Sequence, residues 1–393
     1  MSDEHQHFET DAIRTQIPVT AEREHSTPLF LTSSFVFDDA EQARALFADE
    51  IAGNIYSRYS NPNTDEFVHK LCHMEGAEDG IATATGMAAV FVSLAALLQA
   101  GDHVLAARSL FGSTHQILTR LLPRWRIEHS YADLDTPEAW PGLIQPNTKA
   151  IFVETPANPG LDLVDLEWLG GLAQSRGVQL VVDNCFTTPY LQQPIRYGAD
   201  LVIHYATKYI DGQGRTLGGV IVGKASLISE MRFFARHTGP ALSPFNAWVL
   251  SKSLETLAVR MDRHCLNAMT VARHFEGHAE LESVRYPFLP SHPQYALARR
   301  QMSHGGGIVV LVVRGGLERA RRFLDQVRLV SHSPNLGDTR TIVTHPTSTT
   351  HSKLTEEERQ RVGIVPGLIR VSVGLEHTDY IIADLEQALT ASR

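Results

Sequence analysis

Two side chains that could act together in catalysis follow consecutive predicted strands. Asp183 comes directly after the apolar run 178–182, and Lys208 lies four residues beyond the run 201–204. Because the carboxyl ends of parallel strands meet at one edge of a sheet, both side chains would face one crevice. Taken singly, Asp183 could be a turn or helix cap and Lys208 a solvated loop residue. Together they offer what a pyridine-aldehyde cofactor requires: a lysine for a Schiff base and an acid for the ring nitrogen.

Two further segments could bind anions. In the run 83–89, Gly86 permits close approach of the backbone, and a helix that begins at Met87 would direct free N–H groups at a phosphate. The alternative is an ordinary threonine N-cap. Arg370 stands inside the apolar run 368–374, where a buried guanidinium needs an anion. A bound carboxylate would suit it, and so would an ion pair with an acid of the protein.

The elements that must position these residues begin with an alternating pattern between about residues 76 and 223. We predict helices at 87–99 and 165–176, and strands at 104–107, 150–154, 178–182, 201–204 and 219–222. Short apolar strands that alternate with helices are typical of a parallel sheet covered on both faces. The sequence therefore predicts an α/β fold.

The pattern changes beyond residue 250. A long helical stretch at 251–276 precedes strands at 308–313 and 369–373 and a helix at 378–390, which indicates a separate α+β unit. The first 60 residues are irregular and interrupted by prolines. We predict an extended N-terminal arm (1–60) that contacts a neighbouring subunit, a large cofactor-binding domain (61–250) and a small C-terminal domain (251–393).

Composition excludes several classes of protein. The net charge of -9, without any basic run, argues against nucleic-acid binding. No apolar run approaches the roughly 18 residues of a membrane helix, and the acidic N-terminus does not resemble a secretory signal, so we expect a cytoplasmic protein. The three cysteines and 19 histidines do not have the spacing of a metal site. The chain also lacks the G-x-G-x-x-G run of nucleotide-binding dehydrogenases and the G-x-S-x-G run of serine hydrolases.

Five segments taken together resemble the Cys/Met-metabolism family of fold-type I pyridoxal-phosphate (PLP) enzymes. They are YSRYSNP (56–62), TGMAA (85–89), ETPANP (154–159), VDN (182–184) and ATKY (206–209). The resemblance extends from about residue 10 to the C-terminus. It implies an aspartate aminotransferase-like fold with a mostly parallel central sheet and a smaller α+β C-terminal domain. It also implies a homo-oligomer, usually a tetramer built from dimers that share active sites.

The resemblance implies a role for each matching residue. Lys208 would carry PLP as a Schiff base and move protons, while Asp183 would bind the pyridine nitrogen. Asn158 would lie near the substrate or the cofactor's phenolic oxygen, and Arg370 would bind the substrate α-carboxylate. The other expected cofactor-binding residues are Gly86, Met87, Phe111, Tyr205 and Thr207, together with Tyr56 and Arg58 from the adjacent subunit.

Two positions depart from the family pattern. Phe111 stands where many relatives have a tyrosine over the cofactor ring; it can still stack, but it lacks the phenolic proton carrier. Tyr205 stands where relatives usually have a serine that helps to hold the phosphate or the ring.

Less general segments at 209–215, 242–248 and 344–351 most closely resemble the family's O-succinylhomoserine sulfhydrylases. This implies γ-replacement, in which a homoserine ester and sulfide give homocysteine and succinate. The alternatives are the acetyl-ester enzymes, cystathionine gamma-synthases, γ-lyases and a catalytically silent PLP-binding protein. A succinyl group carries a free carboxylate, for which Arg215, Arg340 or another arginine could be the partner.

Overall fold

The computed structural model of the protein describes residues 7–352 and 355–393, and the elements named below lie in those ranges. Its strands are β1 (Asp79–Thr83), β2 (His103–Ala107), β3 (Glu128–Ala132), β4 (Thr148–Glu154), β5 (Gln179–Asp183), β6 (Leu201–His204), β7 (Gly219–Gly223), β8 (Leu281–Arg285), β9 (Ile308–Val313), β10 (Ser331–His332), β11 (Ile342–Thr344) and β12 (Leu368–Ser372).

The α-helices are α1 (Phe8–Arg14), α2 (Ala40–Phe47), α3 (Pro62–Glu75), α4 (Gly86–Leu97), α5 (Gly112–Gln116), α6 (Trp140–Leu143), α7 (Leu166–Arg176), α8 (Thr188–Leu191), α9 (Ala225–Thr238), α10 (Pro244–Leu254), α11 (Leu257–Phe275), α12 (Tyr295–Gln301), α13 (Gly316–Gln326), α14 (Glu356–Arg361) and α15 (Thr378–Ala391). Short 3₁₀ or π turns occur at Ile117–Leu121, Leu122–Trp125, Pro137–Ala139, Pro194–Tyr197 and Pro346–Ser348.

The central sheet has, among the described residues, seven strands in the order β1-β7-β6-β5-β4-β2-β3. Strands β6, β5, β4, β2 and β3 run parallel to one another. Strands β2 and β6 are buried along their whole length, as expected where helices cover both faces of a parallel sheet. The mostly parallel α/β sheet confirms the predicted fold class.

Strand β7 occupies the predicted place but runs antiparallel to both of its neighbours, β1 and β6. Residues 205–218 form turns instead of a crossover helix, so the chain returns beside β6 in the opposite direction. The parallel core consequently ends at β6, and the loop that carries Lys208 lies at the boundary between the parallel and antiparallel parts of the sheet.

A smaller sheet has five strands within the described part of the chain, in the order β10-β11-β12-β9-β8. Its pairs are antiparallel apart from β10 with β11. Side chains from α11, α13 and α15 pack against this sheet in a second apolar core. This arrangement agrees with the predicted smaller α+β unit, while the boundaries proposed at residues 60 and 250 stay a prediction.

The helix predicted at 251–276 is interrupted. Helix α10 ends at Leu254 and α11 begins at Leu257. The guanidinium of Arg260 donates a hydrogen bond of 2.9 Å to the carbonyl oxygen of Ser253, which would otherwise accept from the next helical turn. The same oxygen also accepts the N–H of Thr256 at 3.2 Å, so the side-chain donor supplements a backbone hydrogen bond at the break.

The N-terminal residues 7–60 are mainly irregular, as predicted, and contain the short helices α1 and α2. The segment is fixed at some points: the indole of Trp248 donates to the carbonyl of Thr27 at 2.9 Å. Elsewhere its apolar side chains are open to solvent, with Leu31 70% and Val36 100% exposed. These exposed side chains suit an arm that packs on another subunit.

Candidate active site

A cavity of about 450 Å³ lies at the carboxyl ends of β4, β5 and β6 and reaches the second sheet. The central sheet contributes residues that follow its strands, and β12 and the loop after β10 close the other side. The structure brings nine of the eleven predicted site residues to the wall of this cavity: Gly86, Met87, Phe111, Asn158, Asp183, Tyr205, Thr207, Lys208 and Arg370.

Lys208 lies in the turn after β6, and its Nζ donates to the Oδ1 of Asn335 at 2.6 Å. Burial lowers the pKa of Lys208, and the nearby positive charge of Arg370 acts in the same direction. A lowered pKa makes the neutral, nucleophilic amine more abundant at a given pH. Lys208 therefore has the surroundings expected of a lysine that reacts with an aldehyde.

Asp183 is the last residue of β5 and is 2% exposed. Its Oδ1 accepts the N–H of Cys185 at 3.1 Å. Burial raises the pKa of this carboxyl group to about 7, against the smaller opposing effect of that hydrogen bond. A cationic ring nitrogen placed against Asp183 would favour the charged carboxylate. The site thus holds an acid that is suited to keep a pyridine nitrogen protonated.

Glu154, which the sequence analysis did not select, is the register partner of Asp183 on β4 and also lines the cavity. Its two oxygens accept the N–H of Phe111 at 2.8 Å and the N–H of Asn158 at 2.9 Å. Burial, and then the charge of Asp183, raise the pKa of Glu154 well above its usual value. Glu154 therefore joins the loops that carry Phe111 and Asn158 to the strand beside Asp183.

Helix α4 points its N-terminus at the cavity. The hydroxyl of Thr85 caps the helix by accepting the N–H of Ala88 at 3.0 Å. The N–H groups of Gly86 and Met87 precede the first intrahelical hydrogen bond, which Ala89 donates to the Thr85 carbonyl, and are available for an anion. The threonine cap and the anion site, which the sequence posed as alternatives, coexist here.

Arg370 on β12 is 1% exposed. It donates to the side-chain oxygen of Asn158 at 3.0 Å and to the carbonyls of Pro334 and Asn335 at 3.1 and 3.0 Å. Its Nε has no hydrogen-bond partner, and in the described residues no carboxylate lies within ion-pair distance of it. The ion pair with a protein acid that the sequence left open is therefore absent from the described chain, which leaves the guanidinium for an external anion.

Tyr56 and Arg58 lie apart from this cavity in the single chain. Tyr56 is 42% exposed. Arg58 donates to the carbonyl of Arg236, and its guanidinium lies 4.8 Å from the ring centre of Tyr59. Their predicted approach to the cofactor phosphate of an adjacent subunit stays a prediction.

Arg215 and Arg340, the named candidates for an acyl carboxylate, do not line the cavity. Arg215 pairs with Asp211 at 3.0 Å, and Arg340 pairs with Asp338 at 2.8 Å. Neither side chain therefore points an unpaired charge at the substrate. Sequence reasoning also missed Asn335 and Cys185, which line the cavity beside Lys208.

Within residues 7–352 and 355–393, no three histidine, cysteine, aspartate or glutamate side chains are grouped so as to hold a metal ion. The helices in those ranges are also too short or too polar to cross a membrane.

The residues of the cavity fit a phosphorylated pyridine aldehyde. Lys208 offers an amine, Asp183 an acid, and α4 the open N–H groups of its first turn. Arg370 adds an unpartnered buried donor for an anionic substrate. The aldehyde, ring nitrogen and phosphate of such a cofactor, and the α-carboxylate of an amino-acid substrate, thus each have a complementary side chain or backbone group in this cavity.

Comparison with known proteins agrees with this chemistry. The family model for Cys/Met metabolism PLP-dependent enzymes matches residues 9–390. The chain is 48% identical to an O-succinylhomoserine sulfhydrylase of Pseudomonas aeruginosa, over 98% of this chain and 95% of that protein. It is 42% identical to an L-methionine gamma-lyase of Porphyromonas gingivalis, over 93% and 92% of the two chains.

Among solved structures, the chain is similar to one assigned to an O-acetylhomoserine (thiol)-lyase of Campylobacter jejuni. The TM-score is 0.94 at 34% identity, covering 98% of this chain and 99% of that one. That structure contains N'-pyridoxyl-lysine-5'-monophosphate, in which the cofactor is attached to a lysine.

Proposed function

The chain belongs to the Cys/Met metabolism family of PLP-dependent enzymes, and from this premise we propose that it catalyses γ-replacement on a homoserine ester. Its substrates are O-succinylhomoserine and sulfide, and its products are homocysteine and succinate. The similarity to an O-succinylhomoserine sulfhydrylase along nearly the whole chain supports the choice of ester and sulfur donor.

The observation that carries the proposal is the placement of Arg370 and Lys208 on the wall of one cavity. A buried guanidinium without a carboxylate partner in the described chain recognises the α-carboxylate of an amino acid. A lysine whose pKa is lowered by burial can accept a proton from the α-carbon of that substrate. Together the two side chains orient and deprotonate an α-amino acid.

The protein's residues divide the work of the proposed reaction. When bound, PLP supplies an electron sink for negative charge at the substrate α-carbon. Asp183 keeps the proton on the ring nitrogen, and Phe111 offers its ring face to the cofactor. Lys208 takes protons from the substrate and returns them. The C–O bond at the γ-carbon breaks, succinate leaves with the bonding electrons, and the sulfur forms the new bond to that carbon.

A second candidate is methionine gamma-lyase activity, because relatives of that name match over a comparable length. The acetyl ester is a further alternative to the succinyl ester. Lys208 and Arg370 are the lysine and arginine on the cavity wall formed by the described residues. In the proposed reaction both are engaged by other groups, so the succinyl carboxylate would need a partner from beyond that wall.

Product analysis tests the proposal. The purified enzyme is incubated with O-succinylhomoserine or O-acetylhomoserine, each with sulfide or cysteine, and with L-methionine alone. We expect homocysteine from the succinyl ester and sulfide, with a higher kcat/KM than for the acetyl ester. Absence of homocysteine from that pair would refute the proposal, and rapid release of methanethiol from methionine would favour the lyase. The Lys208→Ala variant is the control for turnover without the catalytic amine.

We also propose that the enzyme is a cytoplasmic homotetramer in which each dimer completes its sites with Tyr56 and Arg58 of the other subunit. Mixed subunits test the sharing. A dimer of one Lys208→Ala chain and one Arg58→Ala chain would contain one intact site. Random mixing of the two inactive variants should therefore restore about a quarter of the wild-type activity. No restoration would indicate that Arg58 acts within its own chain.

A further inference from the structure

The ring of Tyr205 packs against the start of helix α4. Gly86 has no space for a side chain at this point, because a Cβ atom built on it would lie 2.1 Å from Cδ1 of Tyr205. The Tyr205 hydroxyl donates to the sulfur of Met87 at 3.2 Å, and the ring meets that of Phe111 edge to face with centres 6.4 Å apart. Tyr205 is therefore wedged between the helix N-terminus and the predicted stacking ring.

This position coincides with the anion-binding end of the cavity. Gly86 and Met87 carry the open N–H groups of the first helical turn, and a phosphate must come close to them to accept hydrogen bonds. Tyr205 contacts both of these residues through its ring and its hydroxyl. A bulky ring thus lies against the two residues whose N–H groups a phosphate would use.

The neighbouring hydroxyl offers little compensation. Thr207, which lies three residues after the end of β6 at His204, already accepts the N–H of Gly218 at 3.1 Å. Burial and the charge of Asp183 raise the pKa of Tyr205 well above its usual value, so its phenol stays neutral. The Tyr205 hydroxyl can donate a hydrogen bond, but it already donates to the sulfur of Met87.

We propose that Tyr205 limits the affinity for PLP by restricting the phosphate end of the cavity. A smaller side chain at this position would leave the first-turn N–H groups of α4 fully accessible. The bulk of the ring, and not its hydroxyl, sets the effect. This inference rests on the cofactor site described above and concerns how tightly that site holds the phosphate.

Cofactor binding to the purified holoenzyme and its variants tests the inference. After removal of excess PLP by dialysis, the Kd is measured from cofactor absorbance and fluorescence during titration. Tyr205→Ser should lower the Kd for PLP by about tenfold or more, the effect of one charge-assisted hydrogen bond that a first-turn N–H of α4 gains with the phosphate once the ring is removed. Tyr205→Phe, which keeps the ring and removes the hydroxyl, is the matched control and should stay within about twofold of the wild type.

Pyridoxal, which lacks the phosphate, isolates the relevant end of the cavity. Its Kd should change little in Tyr205→Ser. An unchanged or higher Kd for PLP in Tyr205→Ser would overturn the inference, and so would weaker PLP binding by Tyr205→Phe. If Tyr205→Ser fails to fold, as judged by its thermal unfolding midpoint, Tyr205→Thr gives the same comparison and leaves a smaller cavity.

The outcomes also separate this inference from the proposed function. Tighter PLP binding by Tyr205→Ser without any homocysteine production would support the role of Tyr205 and refute the reaction. Homocysteine production with a Kd for PLP that Tyr205→Ser leaves unchanged would support the proposed reaction and refute the role of Tyr205. Failure of every variant to bind PLP would overturn both.

Discussion

Replacement of Arg370 by methionine should abolish most of the activity and leave the fold nearly as stable. In the folded protein, burial lowers the pKa of Arg370 from its ordinary value to about 10. Because the folded pKa lies below the unfolded one, retaining the charge at neutral pH costs about 3 kcal/mol of the free energy of unfolding. Methionine removes this cost and has a similar apolar length.

The hydrogen bonds that are lost in Arg370→Met should cost little stability. The three oxygens that lose their donor belong to Asn158, Pro334 and Asn335, and all three residues line the cavity. Water can therefore take the place of the guanidinium. We expect the free energy of unfolding of Arg370→Met to change by no more than about 2 kcal/mol.

Catalysis should respond far more strongly. A bidentate guanidinium–carboxylate contact comprises two charge-assisted hydrogen bonds of about 1.5–3 kcal/mol each, so its loss should lower kcat/KM by about 10²–10⁴-fold. The kcat/KM of Arg370→Lys, which keeps the charge without the planar pair of donors, should lie between those of Arg370→Met and the wild type. Steady-state kinetics with the homoserine ester and chemical denaturation provide the two measurements.

Arg260 is the matched control. It is also buried, burial likewise lowers its pKa to about 10, and it donates to the carbonyls of Tyr209, Ile210 and Ser253. These acceptors lie in the core, away from the cavity. The two variants are relieved of a similar cost of burying charge, but the carbonyls that lose the Arg260 guanidinium cannot gain a water in its place. Arg260→Met should therefore lower the free energy of unfolding by about 2 kcal/mol or more beyond the change in Arg370→Met. Equal destabilisation by both variants, with an unchanged KM in Arg370→Met, would refute the assignment of Arg370 to the substrate.

Three further outcomes are expected. Burial lowers the pKa of His264 to about 4; since unfolding lets this ring bind a proton below about pH 6.5, the free energy of unfolding should fall by up to about 3 kcal/mol between pH 6.5 and 4. Denaturation across this range should show that loss removed in His264→Gln and retained in His25→Gln, a change at an exposed histidine; identical pH profiles would contradict the assignment. Gly86→Ala should lower the thermal unfolding midpoint because its methyl group meets the ring of Tyr205, and a second change, Tyr205→Ser, should restore it; a clash with the helix itself would persist in the double variant. Glu154→Gln, which can accept only one of the two buried N–H groups that the carboxylate binds, should lower the free energy of unfolding by about 1–3 kcal/mol in chemical denaturation, and an unchanged value would show that water supplies the second acceptor.

The sequence predicted the residues that follow parallel strands most successfully. Asp183 and Lys208 could be placed together because their strands were short, apolar and consecutive, and parallel neighbours share one edge. The same reasoning could have selected Glu154, which ends the strand next to Asp183. The sequence signal for Glu154 is its position at the end of an apolar run.

Contacts between distant parts of the chain could not be predicted in this way. Asn335 reaches Lys208 across 127 residues of sequence, and nothing in its own loop indicates the partner. The direction of β7 was equally hidden, because an apolar run of five residues reads the same in either orientation. By contrast, the pairing of Arg215 with Asp211 had a sequence signal, their spacing of four residues, which argued against a free arginine at that position.

The hydrogen bond between Arg370 and Asn158 joins the two halves of the molecule. Arg370 belongs to the smaller sheet, whereas Asn158 follows β4 of the central sheet, and their contact spans 212 residues of sequence at 3.0 Å. The affinity for a substrate carboxylate that binds the guanidinium therefore depends on the distance between the two sheets. By thermodynamic linkage, any change that holds the sheets at this separation must also tighten the binding of the amino acid, and the bound amino acid must in turn resist their displacement.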